Sequence, residues 1–425
     1  MGAFVRSDLW SKASGLWVAQ LTQKAAVLGF SFMVGHRLGG DGVGVMASVL
    51  ALAWLGGTVA GMGLPDRAVF RGASGVMSGE NRRLYGSFLL LVLLVHGAMW
   101  WLAGEMAGTV EPHLVAFARG LIAGAWAHCS SAVGLGWLRG AGRPKAEVWA
   151  TAASAIALIA VPLLGFDLGL AWAVSGLCML VGAVVGNRRE GLVPDRPALP
   201  LDVLRRGTPF LAYGLGAWLV GNMDVLFARA AHHPDDVGAL QVGSMAVRGL
   251  GLVPWVAATL MLRPLAQDWA RSIPPRPIRW AFRAACVGAL VAALAWVVMP
   301  FLALGHGMTM ESIHRTTWAS MAVAPVLYAF VFLVPIAAQW HLGRTLKAMG
   351  IALMTSVAVG VISMDVVDVA SKIVAAGIGQ LVAVLWLINA FRSPRPEGIE
   401  VDGGALGPGV ARTGDARGGA PLGED

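Results

Sequence analysis

Charged residues are scarce in this chain: Asp, Glu, Lys and Arg make up 13% of its 425 residues, whereas 57% are hydrophobic. A soluble chain would carry about a quarter charged residues. The long apolar runs therefore indicate a polytopic membrane protein. Because backbone polar groups in a bilayer must be satisfied without water, its spans should be helices. The alternating segments of about ten residues that are typical of an outer-membrane barrel do not occur.

Cysteine is equally rare. Cys129, Cys178 and Cys286 lie far apart, each inside an apolar segment, and form neither a disulfide framework nor a metal-binding spacing. The chain also lacks a Gly-x-x-x-x-Gly-Lys phosphate loop, a His-Glu-x-x-His pair and a Gly-x-Ser-x-Gly elbow. We therefore predict no enzyme, no metal and no bound cofactor. A transporter of this kind would draw on a proton or Na⁺ gradient, a partner or the substrate gradient.

Twelve apolar segments, most of about 20 residues, have the length that crosses roughly 30 Å of hydrocarbon. They cover residues 13–36, 43–63, 84–103, 113–136, 147–164, 168–187, 208–229, 237–262, 281–303, 317–340, 347–364 and 369–390. A loop rich in Pro and Arg at 188–207 separates six spans from six. We therefore predict an N-terminal bundle over 1–187, a cytoplasmic linker over 188–207 and a C-terminal bundle over 208–390. A disordered cytoplasmic tail, rich in Gly, Pro and Asp, should cover 391–425.

The basic residues are distributed unequally between the two sides of these spans. Most of the 32 Lys and Arg residues fall in the N-terminus, the tail and every second loop. The other side holds only Arg37, Arg229, Arg315 and Lys372. The positive-inside rule thus predicts that both termini are cytoplasmic, and it explains the net charge of +8 without a nucleic-acid partner.

Two related loops suggest an internal repeat. The first hairpin carries a polar loop at 37–42 followed by Val43-Gly44, and a polar loop at 230–236 is followed by Val237-Gly238. The two dipeptides lie 194 residues apart. Repeats of this kind are common in transporters.

Four ionisable residues lie well inside predicted spans: Lys24, Arg119, Asp224 and Arg248. Each would cost roughly 3 kcal/mol if it faced lipid at mid-membrane. We therefore expect them to be paired, solvated or in a cavity. One interpretation is an electropositive inner cavity for an anionic group such as phosphate. The other is structural, with Lys24 or Arg248 neutralising Asp224 and holding the halves together.

Polar side chains accompany these charges at helical spacing. The candidate substrate-binding set consists of Lys24, Arg248, Arg119, Gln20, Gln23, Gln241 and Ser244. A buried carboxylate with a raised pKa can carry a proton or coordinate Na⁺. Asp224, which follows Asn222 on the seventh span, is thus the candidate for ion coupling, with a salt-bridge role as its alternative.

The loop motifs resemble those of the polysaccharide-export flippases. These proteins belong to the multidrug/oligosaccharidyl-lipid/polysaccharide exporter superfamily. The resemblance lies in His36-Arg-Leu-Gly-Gly-Asp-Gly-Val-Gly-Val-Met-Ala47 and Gly61-Met-Gly-Leu-Pro-Asp-Arg67. It continues in Asn222-Met-Asp-Val-Leu226 and Asp236-Val-Gly238. Val43 and Val237 stand where Phe or Tyr is common in that family.

The resemblance implies an all-α membrane protein with two six-helix bundles around a central cavity. It further implies movement of a polyprenyl-pyrophosphate-linked oligosaccharide across the bacterial inner membrane. Partners would then be the lipid-linked oligosaccharide, membrane lipids, and a polysaccharide polymerase with other export proteins.

Two other functions stay open. A multidrug or metabolite cation antiporter of the same fold would favour acidic residues in its cavity, whereas the predicted spans here hold three cations and one acid. A non-transporting scaffold of an envelope synthesis complex would not require charges in the middle of spans in both halves.

Overall fold

The computed structural model describes most of the chain. The described residues are 2–61, 79–140, 145–189, 200–231, 234–251, 277–340, 342–362 and 369–392, together with 64, 65, 68, 143, 254 and 258. Residues 190–199, half of the predicted linker over 188–207, and almost all of the predicted tail over 391–425 lie outside them. The predicted division into bundles, linker and tail therefore stays a prediction.

Regular structure in the described ranges is entirely helical. The helices are α1 (Gly2–Gly61), α2 (Gly79–Gly108), α3 (Leu114–Gly140), α4 (Lys145–Leu163), α5 (Leu168–Arg189), α6 (Pro200–Ala231), α7 (Pro234–Leu250), α8 (Pro277–Gly305), α9 (Met310–Trp340), α10 (Leu342–Ile362) and α11 (Ala370–Arg392). The two arms of α1 and the ten helices that follow correspond to the twelve predicted spans. We call α1–α5 the first half and α6–α11 the second half.

The first helix is interrupted at one residue, Gly39, whose φ is 69° and ψ is −169°. Only glycine adopts this conformation without strain. Both arms pack on neighbouring aromatic residues. The ring centroid of Phe30, before Gly39, lies 5.5 Å from the centroid of Trp172, and the ring centroid of Trp54, after Gly39, lies 6.3 Å from the centroid of His128. The His128 and Trp172 centroids are 5.9 Å apart. The two arms therefore form a hairpin, and its turn is shorter than the predicted loop over 37–42.

Nine of the described helical segments are long and apolar enough to cross a membrane. One of them, Val18–Gly61, has 44 residues and contains both arms of the hairpin, so it can cross twice. The segment Tyr85–Gly108 of α2 is the least buried, at 28%. Long apolar helices, of which some leave most of their surface unburied, are typical of a multi-pass membrane protein.

Val34 and Val43, on either side of Gly39, share a core with Ala107, Leu114, Leu168, Leu302 and Ile313. Gly238 lies against Gly40, and Ile373 shares a core with Ala47. The turn at Gly39 therefore lies at the same end of the bundle as the connections from α2 to α3, α4 to α5, α6 to α7, α8 to α9 and α10 to α11. We call this the Gly39 end and the opposite one the termini end.

The halves have separate cores but touch at the Gly39 end. Val220, Phe332 and Leu387 belong to a core formed by the second half alone. At the Gly39 end, in contrast, Phe30 and Val34 of α1 share a core with Leu302 and Ile313 of the second half. The halves also touch toward the termini end, where a Cβ on Gly214 of α6 would stand 3.3 Å from Cγ2 of Thr58 in the second arm of α1.

The two repeated dipeptides take part in the contact at the Gly39 end. A Cβ atom on Gly238 would stand 2.7 Å from the carbonyl oxygen of Gly40 and 3.4 Å from the amide nitrogen of Gly44. Val43 and Val237 are both fully buried. The two related loops therefore pack backbone against backbone, which explains why each carries glycine.

Candidate functional site between the two halves

Ser31 of α1 contacts the second half inside the bundle. Its hydroxyl lies 3.0 Å from Nε2 of His306 and 3.7 Å from the sulfur of Met245, both in the second half. One turn nearer to the Gly39 end, a Cβ on Gly35 would stand 2.6 Å from the carbonyl oxygen of His306. Ser31 and His306 are both buried. The halves are therefore closely packed from this level to the Gly39 end.

Lys24 lies on the same face of α1, two turns closer to the termini end. Seven residues separate it from Ser31, which corresponds to about 10 Å of helix. The i, i+4, i+7 spacing places Lys24 and Leu28 on the face of α1 that carries Ser31. Lys24 is nevertheless exposed, and no described acidic side chain forms an ion pair with it.

Arg248 lies in the second half. It follows Met245 by one turn of α7, or about 4.5 Å further toward the termini end. Its guanidinium Nη2 donates to Oδ2 of Asp224 on α6. The Arg248 side chain is 27% exposed, whereas the Asp224 side chain is 1% exposed. Arg248 and Asp224 are thus brought together as an ion pair.

This pairing decides the charge of the site. A buried carboxylate needs a compensating cation, and Arg248 supplies it. The other carboxylate oxygen of Asp224, Oδ1, is buried and has no hydrogen-bond partner among the described residues. Lys24 then remains as the uncompensated charge, so the three residues together carry one net positive charge.

The remaining polar residues of the second-half stripe bond within their own helices. Asn222 donates from Nδ2 to the carbonyl oxygen of Trp218 at 2.9 Å. Ser244, which is buried, donates to the carbonyl oxygen of Gln241 at 3.2 Å. Gln241 is half-buried on the Met245 side of the helix. These side chains lie next to the charged pair and contribute polarity to the site.

The two glutamines of α1, in contrast, turn into the first half. Gln23 donates from Nε2 to the hydroxyl of Ser154 on α4 at 3.1 Å, and Ser154 lies 2.6 Å from Ser175 on α5. Gln20 donates to Oε1 of Glu147 at 3.3 Å. Although adjacent to Lys24 in sequence, neither is directed toward the second half.

Glu147 is a buried carboxylate that sequence reasoning missed. It is 1% exposed and accepts hydrogen bonds from both Nε and Nη2 of Arg139, the first at 3.1 Å. The two residues belong to different helices and are eight positions apart, so no i, i+4 spacing links them. The available signal was an acidic residue at the start of a predicted span that directly follows basic residues.

Arg119 lies outside the inter-half site as well. Its guanidinium carbon lies 4.3 Å from the centroid of the Trp100 ring on α2. A Cβ on Gly104 would stand 2.8 Å from its Nε. Arg119 therefore packs on the neighbouring helix of its own half, whereas Lys24 lies on the Ser31 face of α1 and Arg248 binds Asp224.

Metal chemistry finds no support in the described residues, where no group of three His, Cys, Asp or Glu side chains is close enough to hold an ion.

Neither the family models nor the curated protein sequences contain a match to this chain. Solved structures match it over most of its length. The eukaryotic MATE transporter AtDTX14 has a TM-score of 0.62 at 12% identity, covering 92% of this chain and 97% of that one. A MATE structure in complex with MaD3S has a TM-score of 0.59 at 16% identity, covering 91% and 95%.

A third match is a MOP superfamily transporter from Pyrococcus furiosus, whose binding pocket is described as having a reverse polarity that suggests a different function. Its TM-score is 0.55 at 15% identity, and the match covers 90% of this chain and 94% of that one. At these identities the likeness establishes the fold. The chain has the fold of MATE transporters, which confirms the predicted all-α polytopic architecture.

Proposed function

We propose that this protein is a flippase that carries a polyprenyl-pyrophosphate-linked oligosaccharide across the bacterial inner membrane for surface polysaccharide synthesis. The observation that carries the proposal is Lys24, an exposed cation without an acidic partner among the described residues, on the α1 face whose Ser31 contacts the second half. The fold shared with MATE transporters supports transport. The sign of the charge, together with the loop motifs, supports an anionic lipid-linked substrate.

A pyrophosphate group fits this site chemically. Lys24 offers a compact point charge, and the partly exposed Arg248 keeps guanidinium donors beyond the one that binds Asp224. A phosphate that enters the space between the halves loses water, and without a countercharge this loss costs several kcal/mol. Lys24 supplies that charge where the path would otherwise be apolar.

The closed Gly39 end suggests a direction for loading. By the distribution of Lys and Arg, the Gly39 end faces outside and both termini are cytoplasmic. Contacts such as Ser31 with His306 then close the external side, whereas Lys24 is exposed below them. In this state the site accepts a substrate head group from the cytoplasmic side. A proton or Na⁺ gradient, with Asp224 as the coupling residue, is one possible driving force for its release.

A cation antiporter is the main competing function. Its substrate would require an accessible acid, and Asp224 is buried beneath Arg248. A scaffold, the third possibility, would have no use for an exposed and unpaired lysine between its halves. The charge pattern therefore favours export, with a polysaccharide polymerase and other export proteins as expected partners.

Transport by purified protein in liposomes tests the proposal. The probes are a fluorescent polyprenyl-pyrophosphate oligosaccharide and, in parallel, a fluorescent organic cation. We expect Lys24→Ala to lower translocation of the pyrophosphate probe at least tenfold, and Lys24→Arg to retain most of it. Thr22→Ala is the matched control, because Thr22 is also exposed but lies on the opposite side of α1. Unchanged pyrophosphate transport in Lys24→Ala, or transport of the cation alone, would refute the proposal.

A further inference from the structure

A second unpaired cation lies on the outer side of the first half, away from the site between the halves. Arg119 stacks over Trp100, with its guanidinium carbon 4.3 Å from the ring centroid. In the described part of the chain no acidic side chain pairs with it, and its Nε is buried without a hydrogen-bond partner. A guanidinium stacked on an aromatic ring in this way still has N–H donors that can bind an anion.

The surroundings of this pair face lipid. The α2 segment Tyr85–Gly108 is the least buried of the nine candidate spans, and Trp100 and Trp101 are 44% and 61% exposed. Leu93 and Leu94, two turns away on the same helix, are also exposed. A surface of leucine and tryptophan on a membrane helix contacts acyl chains rather than water.

The depth of the pair corresponds to the head-group boundary at the Gly39 end. Arg119 is five residues from the start of α3, or about 7 Å, and Trp100 is eight residues from the end of α2, or about 12 Å. A long basic side chain at this depth reaches the phosphate level of the adjacent leaflet. The anion available there is the phosphate of a lipid.

Gly104 provides the space for this arrangement. A Cβ at this position would stand 2.8 Å from Nε and 3.1 Å from Nη2 of Arg119. With glycine there, the guanidinium can lie flat between the α2 backbone and the Trp100 ring. The orientation of Arg119 is thus set by two neighbouring helices, and it does not depend on the bound anion.

The corresponding hairpin of the second half is built differently. Trp296 on α8 packs on Trp318 and His314 of α9, with ring centroids 4.9 and 5.6 Å away. The indole N–H of Trp318 donates to Nε2 of His314 at 3.1 Å, so this imidazole nitrogen carries no proton. At the Gly39 end the aromatic belt is therefore present in both halves, but the guanidinium described as stacked on it there belongs to the first half. In the second half, Arg283 stacks over Trp280 near the start of α8, at the termini end, with its guanidinium carbon 4.5 Å from the ring centroid.

We propose that Arg119 and Trp100 form a binding site for a lipid phosphate in the leaflet at the Gly39 end. Arg119 binds the phosphate oxygens, and Trp100 with the leucines of α2 contacts the glycerol and acyl region. The phosphate could come from a resident phospholipid or from the pyrophosphate of an exported lipid. Binding of a resident phospholipid does not require that the protein export a lipid, so this inference stands independently of the proposed transport function.

Native mass spectrometry of the purified full chain with added single lipids tests it. The probes are phosphatidic acid, diacylglycerol as the same lipid without phosphate, and polyprenyl pyrophosphate. We expect Arg119→Gln to weaken binding of the first phosphatidic acid about tenfold, as expected for losing a hydrogen-bonded charge. Binding of diacylglycerol should not change. Arg315→Gln, which removes an exposed arginine five residues into α9, is the matched control and should not alter either affinity.

A second variant keeps the test decisive if Arg119→Gln does not fold. Gly104→Ala leaves the charge in place but moves the guanidinium off Trp100, and it should weaken phosphatidic acid binding in the same direction. Weaker binding of polyprenyl pyrophosphate alone would assign the site to the exported lipid. Weaker binding of both polyprenyl pyrophosphate and phosphatidic acid would assign it to lipid phosphate in general. Equal affinities in wild type and Arg119→Gln, or an equal loss for diacylglycerol, would overturn the proposal.

Discussion

Arg248 of α7 donates a hydrogen bond to Asp224 of α6, and this carboxylate is 1% exposed. The pair connects two consecutive helices of the second half. Because Asp224 has its charge compensated within its own half, the first half contributes the free cation, Lys24. The unequal contribution of the two halves has consequences that can be measured.

Removing the Asp224 charge should destabilise the protein. Asp224→Asn leaves Arg248 partly buried without a counterion, and breaking a buried pair in this way costs about 3–5 kcal/mol. We expect a lower thermal unfolding midpoint in detergent and a partial recovery in the double variant Asp224→Asn with Arg248→Gln. Glu111→Gln is the control, because its side chain is 50% exposed and its pair with His113 should contribute little.

The same variants examine ion coupling. If Asp224 carries the coupling ion, the double variant should fold yet transport independently of an imposed proton or Na⁺ gradient. Gradient dependence that survives in a well-folded double variant would remove Asp224 from that role.

Gly238→Ala should loosen the contact at the Gly39 end. The new methyl group would stand 2.7 Å from the carbonyl oxygen of Gly40, and backbone at this contact can yield only if the halves separate. We expect faster modification of a cysteine placed at Ser31, in a background without the three native cysteines. Gly97→Ala is the control, since a Cβ there meets no atom within 4 Å. Equal modification rates in both variants would contradict the packing described.

Gly39→Ala should strain the turn of the first hairpin. A φ of 69° combined with a ψ of −169° costs a residue with a side chain about 1–3 kcal/mol. The expected result is a lower unfolding midpoint without any new steric contact, because no atom lies within 4 Å of the added methyl group. Gly221→Ala, also free of neighbours but inside a regular helix, should leave the midpoint unchanged or raise it.

Lys24→Cys should react with a membrane-impermeant thiol reagent from the cytoplasmic side. The prediction combines the exposed position of Lys24 with the cytoplasmic termini that the positive-inside rule predicts. We expect labelling in inside-out vesicles and much less in right-side-out vesicles. Ala26→Cys, on the buried face of the same helix, should stay unlabelled in both. The same assay tests sidedness, since cysteines at Asp41 and Asp235 should react from outside and those at Arg82 and Arg143 from inside.

The sequence allowed the all-α polytopic architecture, the first hairpin and the related Val-Gly dipeptides to be predicted, because these depend on apolar length and on the requirements of tight backbone contact. It did not reveal which way Gln20, Gln23 and Arg119 turn. Their helices are apolar on almost every side, and lipid is as apolar as a protein core, so periodicity cannot distinguish the two. The Glu147–Arg139 pair depends on the relative placement of two helices, which local sequence does not encode.

The hydrogen bonds of α1 determine what it can move with. Toward the termini end, Gln23 is bonded to Ser154 and Gln20 to Glu147, all within the first half. Its main polar contact with the second half is made by Ser31, at His306 and Met245. Separating the halves at the Gly39 end would break a hydroxyl–imidazole contact while leaving the glutamine bonds intact. The first arm of α1 should therefore stay attached to its own half when the halves separate. Lys24 would then move together with that half as one rigid body, without any bending of the helix.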